Sequence, residues 1–144
     1  MMDNIIMELQ CKDNKKAYAL FREICVKSTS SDEFYSCFDD FIGLMTHESS
    51  YVRARGFCLA CAQARWDRDE KIKTNVDVLL KMLHDKKPIA VRQCLSALHE
   101  VVLFKYELCD NICQELAKID LSKYKDSMLP LIKKDMDELY KIIK

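Results

Sequence analysis

A 39-residue echo constrains this chain more than any other feature. Val52-Arg53 opens one apolar-periodic segment and Val91-Arg92 opens another 39 positions later, and Leu59 and Leu98 are related by the same shift. Each segment follows an apolar pattern ending in a similar phrase, Leu44-Met45-Thr46-His47 in one case and Met82-Leu83-His84-Asp85 in the other. A period of roughly 40 residues holding two helices is the range of helical-repeat stacks. One helical pair cannot bury its apolar sides alone, so neighbours stack and share a core. Position 13 marks the matching point of an earlier repeat, and the segment after Ser127 fills the role in a final one. The spacing predicts an all-α chain, a short right-handed α-α superhelix of about seven to eight helices, with residues 1–144 as a single domain.

Only two glycines and two prolines occur in 144 residues, too few for a sheet protein with many tight turns. Helical spacing is read instead. Ala17, Leu20, Phe21 and Ile24 mark a helix over 14–27, and Ser30 with Glu33 fits a capping box opening the next, which carries Phe34, Cys37, Phe38, Phe41, Ile42 and Met45. A helix follows from about Tyr51 to Asp67, then one carrying Ile72, Val76, Leu79, Leu80 and Leu83. Pro88 suits the first turn of a helix containing Val91, Leu95, Leu98 and Val102, because its missing N–H has no partner there. Two more run from about Glu107 to Lys118 and from about Met128 to Ile143, with Pro130 in the first turn of the last.

The helix from Val52 is apolar on nearly every side, through Phe57, Cys58, Leu59, Ala60, Cys61, Ala62 and Trp66, which predicts burial all round. The helix from Val91 differs. Arg92, Gln93, Ser96, His99 and Glu100 project within about a third of its circumference.

The 23 basic and 23 acidic residues cancel. A chain living on nucleic acid usually carries a basic excess that displaces counterions, so nucleic acid is not the expected partner. Met1 to Gln10 has acidic Asp3 and Glu8 and no basic residue, unlike a signal peptide. No apolar run approaches the ~18 residues of a membrane span. The expected compartment is the cytoplasm, where the eight cysteines are reduced.

Ser50-Tyr51-Val52-Arg53 and the run Ala90-Val91-Arg92-Gln93-Cys94-Leu95-Ser96-Ala97-Leu98 resemble the start of the second helix of HEAT repeats. Gln63-Ala64-Arg65-Trp66-Asp67, Leu98-His99-Glu100-Val101-Val102-Leu103-Phe104 and Asp120-Leu121-Ser122-Lys123-Tyr124-Lys125-Asp126-Ser127 are similar to phrases of a group of small bacterial HEAT-like proteins. Some of that group carry a name implying iron–sulfur assembly scaffolds, which are largely β-helical; no stacked strand repeat is read here. The resemblance implies a HEAT/armadillo-like fold over nearly the whole length and little about function. In such stacks an arginine at the position of Arg53 and Arg92 pairs with an acid from the loop or the adjacent repeat, Asp85 or Glu48 here; the alternative is ligand contact.

Other candidates carry a structural and a functional reading. Cys58-x-x-Cys61 lies mid-helix, and neither a second pair of matching spacing nor a histidine pair completes a zinc set. Its structural reading is small-residue packing, and no metal or other cofactor is expected. His47 and His84 sit in equivalent breaks where a histidine caps carbonyls, and the adjacent His99 and Glu100 point about 100° apart, too far for a tight acid–base pair. Trp66 either plugs a junction between repeats or anchors a partner.

The leading expectation is a non-enzymatic module binding another protein or a peptide, with the second helix of each pair lining the inner surface. The candidate face is Tyr18, Arg22, Arg53, Phe57, Arg92, Ser96, His99 and Glu100. Two alternatives remain open. One is a HEAT-like DNA-repair glycosylase, for which Trp66 and Asp67 supply an aromatic and an acid; the other is a metal or iron–sulfur accessory acting through the cysteines.

Overall fold

The computed structural model describes residues 2–143, with backbone alone for Met2 and Asp3, so Met1 and Lys144 of the expected 1–144 domain lie outside the described residues. Nine α-helices and no strand occur among these residues. They are α1 (Met2–Leu9), α2 (Asn14–Lys27), α3 (Phe38–Leu44), α4 (Ser50–Ala62), α5 (Lys71–Thr74), α6 (Val76–Leu80), α7 (Pro88–Phe104), α8 (Cys109–Leu116) and α9 (Leu129–Ile143). The chain is all-α. Single 3₁₀ turns precede α3 and α8 and follow α4 and α6.

Local chemistry explains the boundaries. Asp13 caps α2 by accepting the Lys16 amide at 3.2 Å, and Pro88 occupies the first turn of α7. The Ser30–Glu33 capping box does not form. Ser31 accepts the Glu33 amide instead, and the α-helix starts only at Phe38 after a 3₁₀ turn. The expected helix through Ile72 and Leu83 is likewise divided into α5, α6 and a 3₁₀ turn, with the Asn75 side chain donating to the Lys71 carbonyl at the break. The short α1 is an element that the repeat pattern did not reveal.

α4 packs on α3 and α7, α2 packs on α4, and α7 packs on α9. One continuous core runs from Leu9 to Leu139. α4 sits at its centre, where Val52, Ala54, Gly56, Phe57, Leu59, Ala60 and Cys61 are all buried, matching its apolar circumference. Gly56 is what lets α3 approach so closely: a Cβ there would lie 2.5 Å from the Phe41 carbonyl oxygen. By contrast α2 buries only Ala17 and Ile24, and α9 only Ile132 and Leu139.

Buried polar groups tie the layers together. Arg55, 5% exposed, donates to the Leu9 carbonyl at 3.0 Å and so holds the end of α1 against α4. Asp67 has a side chain with no exposed surface; it accepts the Lys71 and Ile72 amides, both at 2.9 Å, and the Tyr35 hydroxyl at 2.8 Å. The buried Lys105 ammonium donates to the Asp67 carbonyl at 2.7 Å and lies 3.7 Å from its carboxylate. Burial, reinforced by the Asp67 bond, holds the Tyr35 phenol well above its usual range. Lys105 also donates to the Glu70 carboxylate at 3.2 Å; Glu70 sits in the left-handed region, φ 56°, just before α5, a conformation costing a non-glycine residue about 1–2 kcal/mol.

Candidate binding groove

α2, α4 and α7 lie side by side, and on one side of the molecule the space between them is an open hollow of about 500 Å³. The sequence makes this hollow through residue size. α2 presents Tyr18, Phe21, Arg22 and Cys25 to it, α4 presents Cys58 and Ala62, and α7 presents Gln93, Ser96, Ala97 and Glu100. The α2 and α7 sets follow the i, i+3, i+4, i+7 spacing of one helical face, and the α4 pair is i, i+4. α2 and α7 both flank α4, and the short side chains Cys25, Cys58, Ala62, Ser96 and Ala97 leave the space over it open.

The floor is neutral. Burial pushes the Cys25 thiol up to about 12, with Cys58 adding to the rise and Arg22 opposing it. Charge sits at the rim. Arg22 is exposed, and among the described residues no carboxylate pairs with it. Beside it the Tyr18 and Phe21 rings lie 5.8 Å apart, centroid to centroid. Arg65 closes the end where α2 and α7 terminate. It donates to the Thr29 carbonyl at 2.8 Å, pairs with Glu100 at 3.3 Å and lies 4.8 Å over the Phe104 ring. Its Nε is buried without a protein acceptor.

Of the expected face, Tyr18, Arg22, Ser96 and Glu100 line the hollow. Phe57 does not: it has no exposed surface and belongs to the core. The reason is angular, because Cys58 faces the hollow and its neighbour Phe57 is turned about 100° away. Arg53 forms a two-pronged bond to Asp85, at 2.8 and 3.1 Å, and also donates to the His47 and Glu48 carbonyls. Arg92 grips Asp135 of α9 the same way, at 2.6 and 3.3 Å. The pairing expected for Arg53 is therefore present, and for Arg92 the acid is one the sequence reading did not name. His99 is half-buried away from the lining residues.

The remaining candidates are accounted for locally. Trp66 is half-buried and its indole N–H donates to the Ser28 carbonyl at 2.7 Å, sealing the end of α2. His47 accepts the Ser49 amide, and His84 pairs with the Glu115 carboxylate. Among the described residues no group of three or more His, Cys, Asp or Glu side chains is placed to hold a metal ion, and no helix is long and apolar enough to cross a membrane.

The sequence reading missed Arg65, Cys25, Cys58 and Ala97 as groove residues. The i, i+4 relation of Cys58 to Ala62 in α4 and the adjacent short pair Ser96-Ala97 in α7 were the available signal. Comparison with protein-family models, curated proteins and solved structures returned no match to this chain.

Proposed function

We propose that the protein is a non-catalytic binding module that holds a helical or extended segment of another protein in the groove between α2, α4 and α7. The observation that carries this reading is the groove itself: a neutral, shallow floor of small side chains with an unpaired guanidinium, Arg22, at its rim. Such a floor accepts an apolar anchor, and such a rim favours a carboxylate beside it. Gln93 also lines a second hollow of about 210 Å³ formed with Tyr51 and Ile89. A path from Ile89 to Phe104 along α7 is about 22 Å, at 1.5 Å per residue, which suits a helix of about four turns.

The same reading takes the chain as a short right-handed α-α superhelix of the HEAT/armadillo kind. The consecutive packing of α2 on α4, α4 on α7 and α7 on α9, with α3 against α4, supports it. So does the recurrence of an arginine–carboxylate clasp at Arg53 and Arg92.

The rivals have less support. Asp67, the acid that a glycosylase reading sets beside Trp66, has its carboxylate buried under two backbone amides, a phenol and an ammonium, so it is not open to a flipped base. Equal numbers of acidic and basic residues give no general attraction to phosphate.

Selection of displayed random 15-residue peptides on the purified chain tests the proposal. Recovered peptides are expected to carry an apolar anchor and an acidic residue, and to lose binding to both Arg22→Glu and Ser96→Arg while these variants melt as the wild type does. Peptides bound equally by both variants, or no peptide recovered, would remove this groove from consideration.

A further inference from the structure

Two hollows lie along α7, and Gln93 lines both. The larger is centred on Ser96 and Ala97 of that helix, and the smaller on Ile89 and Ala90. Ile89 and Ser96 stand seven residues apart on one face of α7, about 10 Å along its axis at 1.5 Å per residue. Leu103, exposed, continues the same face a further seven residues on. Tyr18 and Val26 at the larger hollow, and Tyr51 and Ile89 at the smaller, are each at least half exposed. Apolar side chains gathered on one face and left in water mark a contact surface.

We infer that the occupant of the groove is an acidic amphipathic helix with two apolar anchors seven residues apart, one in each hollow; this rests on the groove being a protein-binding site at all. A helix returns a side chain to the same face after seven residues and about 10 Å. An extended chain does not. Its residues on one face fall about 7 or 13 Å apart, and the residue about 10 Å on points to the other side. A helix also pairs its own backbone groups, which suits a floor of Cys25, Cys58, Ala62 and Ala97 that offers few partners for a bare chain.

Charge selects which helix. Arg22 lines the larger hollow and Lys87 the smaller; both are exposed, and among the described residues no carboxylate pairs with either. Glu100, the acid that lines the larger hollow, is already held by Arg65 at 3.3 Å. Each anchor position therefore has an uncompensated cation beside it. A helix with glutamate or aspartate within a turn of each anchor complements both cations, whereas a basic helix meets repulsion twice.

A displayed library of alanine-based helices, panned on the full-length chain, gives the test. Its members carry two leucines at every separation from one helical turn to three, with glutamate, glutamine or lysine at the other exposed positions. Enriched clones are expected to have leucines seven apart and an acid within a turn of each. They are expected to bind Ile89→Asn about tenfold more weakly. Lys87→Glu is expected to weaken them about threefold, a loss that shrinks at high salt. Both side chains are exposed, so both variants are expected to melt as the wild type does. Enrichment of another separation, of lysine beside the leucines, or of clones lost on Ser96→Arg but kept by Ile89→Asn would overturn the two-anchor helix and leave the groove as a binding site. Clones held equally by all these variants, or no clone recovered, would overturn both.

Discussion

Replacing Gly56 with alanine would place a Cβ 2.5 Å from the Phe41 carbonyl oxygen and 2.8 Å from Leu44 Cβ, where ordinary contact begins at 3.4 Å. The first of these is backbone, so relief requires α3 to withdraw from α4 by close to an ångström. α3 cannot do so freely, because Phe38, Phe41 and Leu44 are all buried in the shared core. Overpacking of this kind costs about 1–3 kcal/mol, and forced backbone movement belongs at the upper end. Alanine returns about 1 kcal/mol as a better helix former, leaving a net loss of about 2 kcal/mol. Gly43 supplies the control. A Cβ there meets nothing within 4 Å, and the substitution gains about 0.5–1 kcal/mol. At about 2–4 °C per kcal/mol for a domain of this size, the two alanine variants differ in Tm by roughly 6–10 °C in opposite directions from the wild type. Urea and thermal melts followed by far-UV circular dichroism measure this. A Gly56→Ala protein as stable as the wild type would refute the close crossing of α3 and α4.

Other expectations follow from the buried polar groups. Burial raises the Asp85 carboxyl, but hydrogen bonds from Arg53 and the Lys87 amide, with the charges of Arg53 and Lys123, outweigh it and hold it below the usual carboxylate range. A depressed folded-state value means that stability is present above the unfolded pKa and lost as pH falls through the folded one. Asp85→Asn is therefore expected to cost about 2–3 kcal/mol at neutral pH, with the gap from wild type closing at pH values below about 4 in pH-dependent urea melts. Asp67→Asn presents an amide group where only acceptors fit and removes one of the two carboxylates beside the Lys105 ammonium, which keeps Glu70 at 3.2 Å and the Asp67 carbonyl at 2.7 Å, a loss of about 1–3 kcal/mol. Paired with Lys105→Met in a double-mutant cycle, it is expected to show a coupling of at least about 1 kcal/mol, and simple additivity would contradict the shared hub.

Much of the fold was legible because it rests on periodicity. α2, α7 and α9 follow their apolar spacing almost to the residue, and the all-round apolar character of α4 marks the centre of the core. For Arg53 the expectation left Asp85 and Glu48 open; the Asp85 carboxylate takes the guanidinium, and Glu48 contributes only its backbone carbonyl. The groove was half legible. Tyr18, Arg22, Ser96 and Glu100 lie on helix faces whose polarity announces exposure, but Phe57 was misplaced because a helix buried on two sides has no polar face to set its rotation. Arg65 escaped notice because it sits in a 3₁₀ turn, where its reach to Thr29 and Glu100 depends on how α2 and α7 converge. The capping box at Ser30 failed for a local reason: the chain closes a 3₁₀ turn through Tyr35 before it can enter an α-helix.

Nitrogen-15 amide shifts of the chain titrated with a selected acidic, apolar peptide test the central claim most directly. Perturbations confined to residues around Tyr18, Arg22, Cys58, Ser96 and Glu100 are the predicted result. Saturable shifts centred on α8 and α9, with the groove amides unmoved, would contradict it.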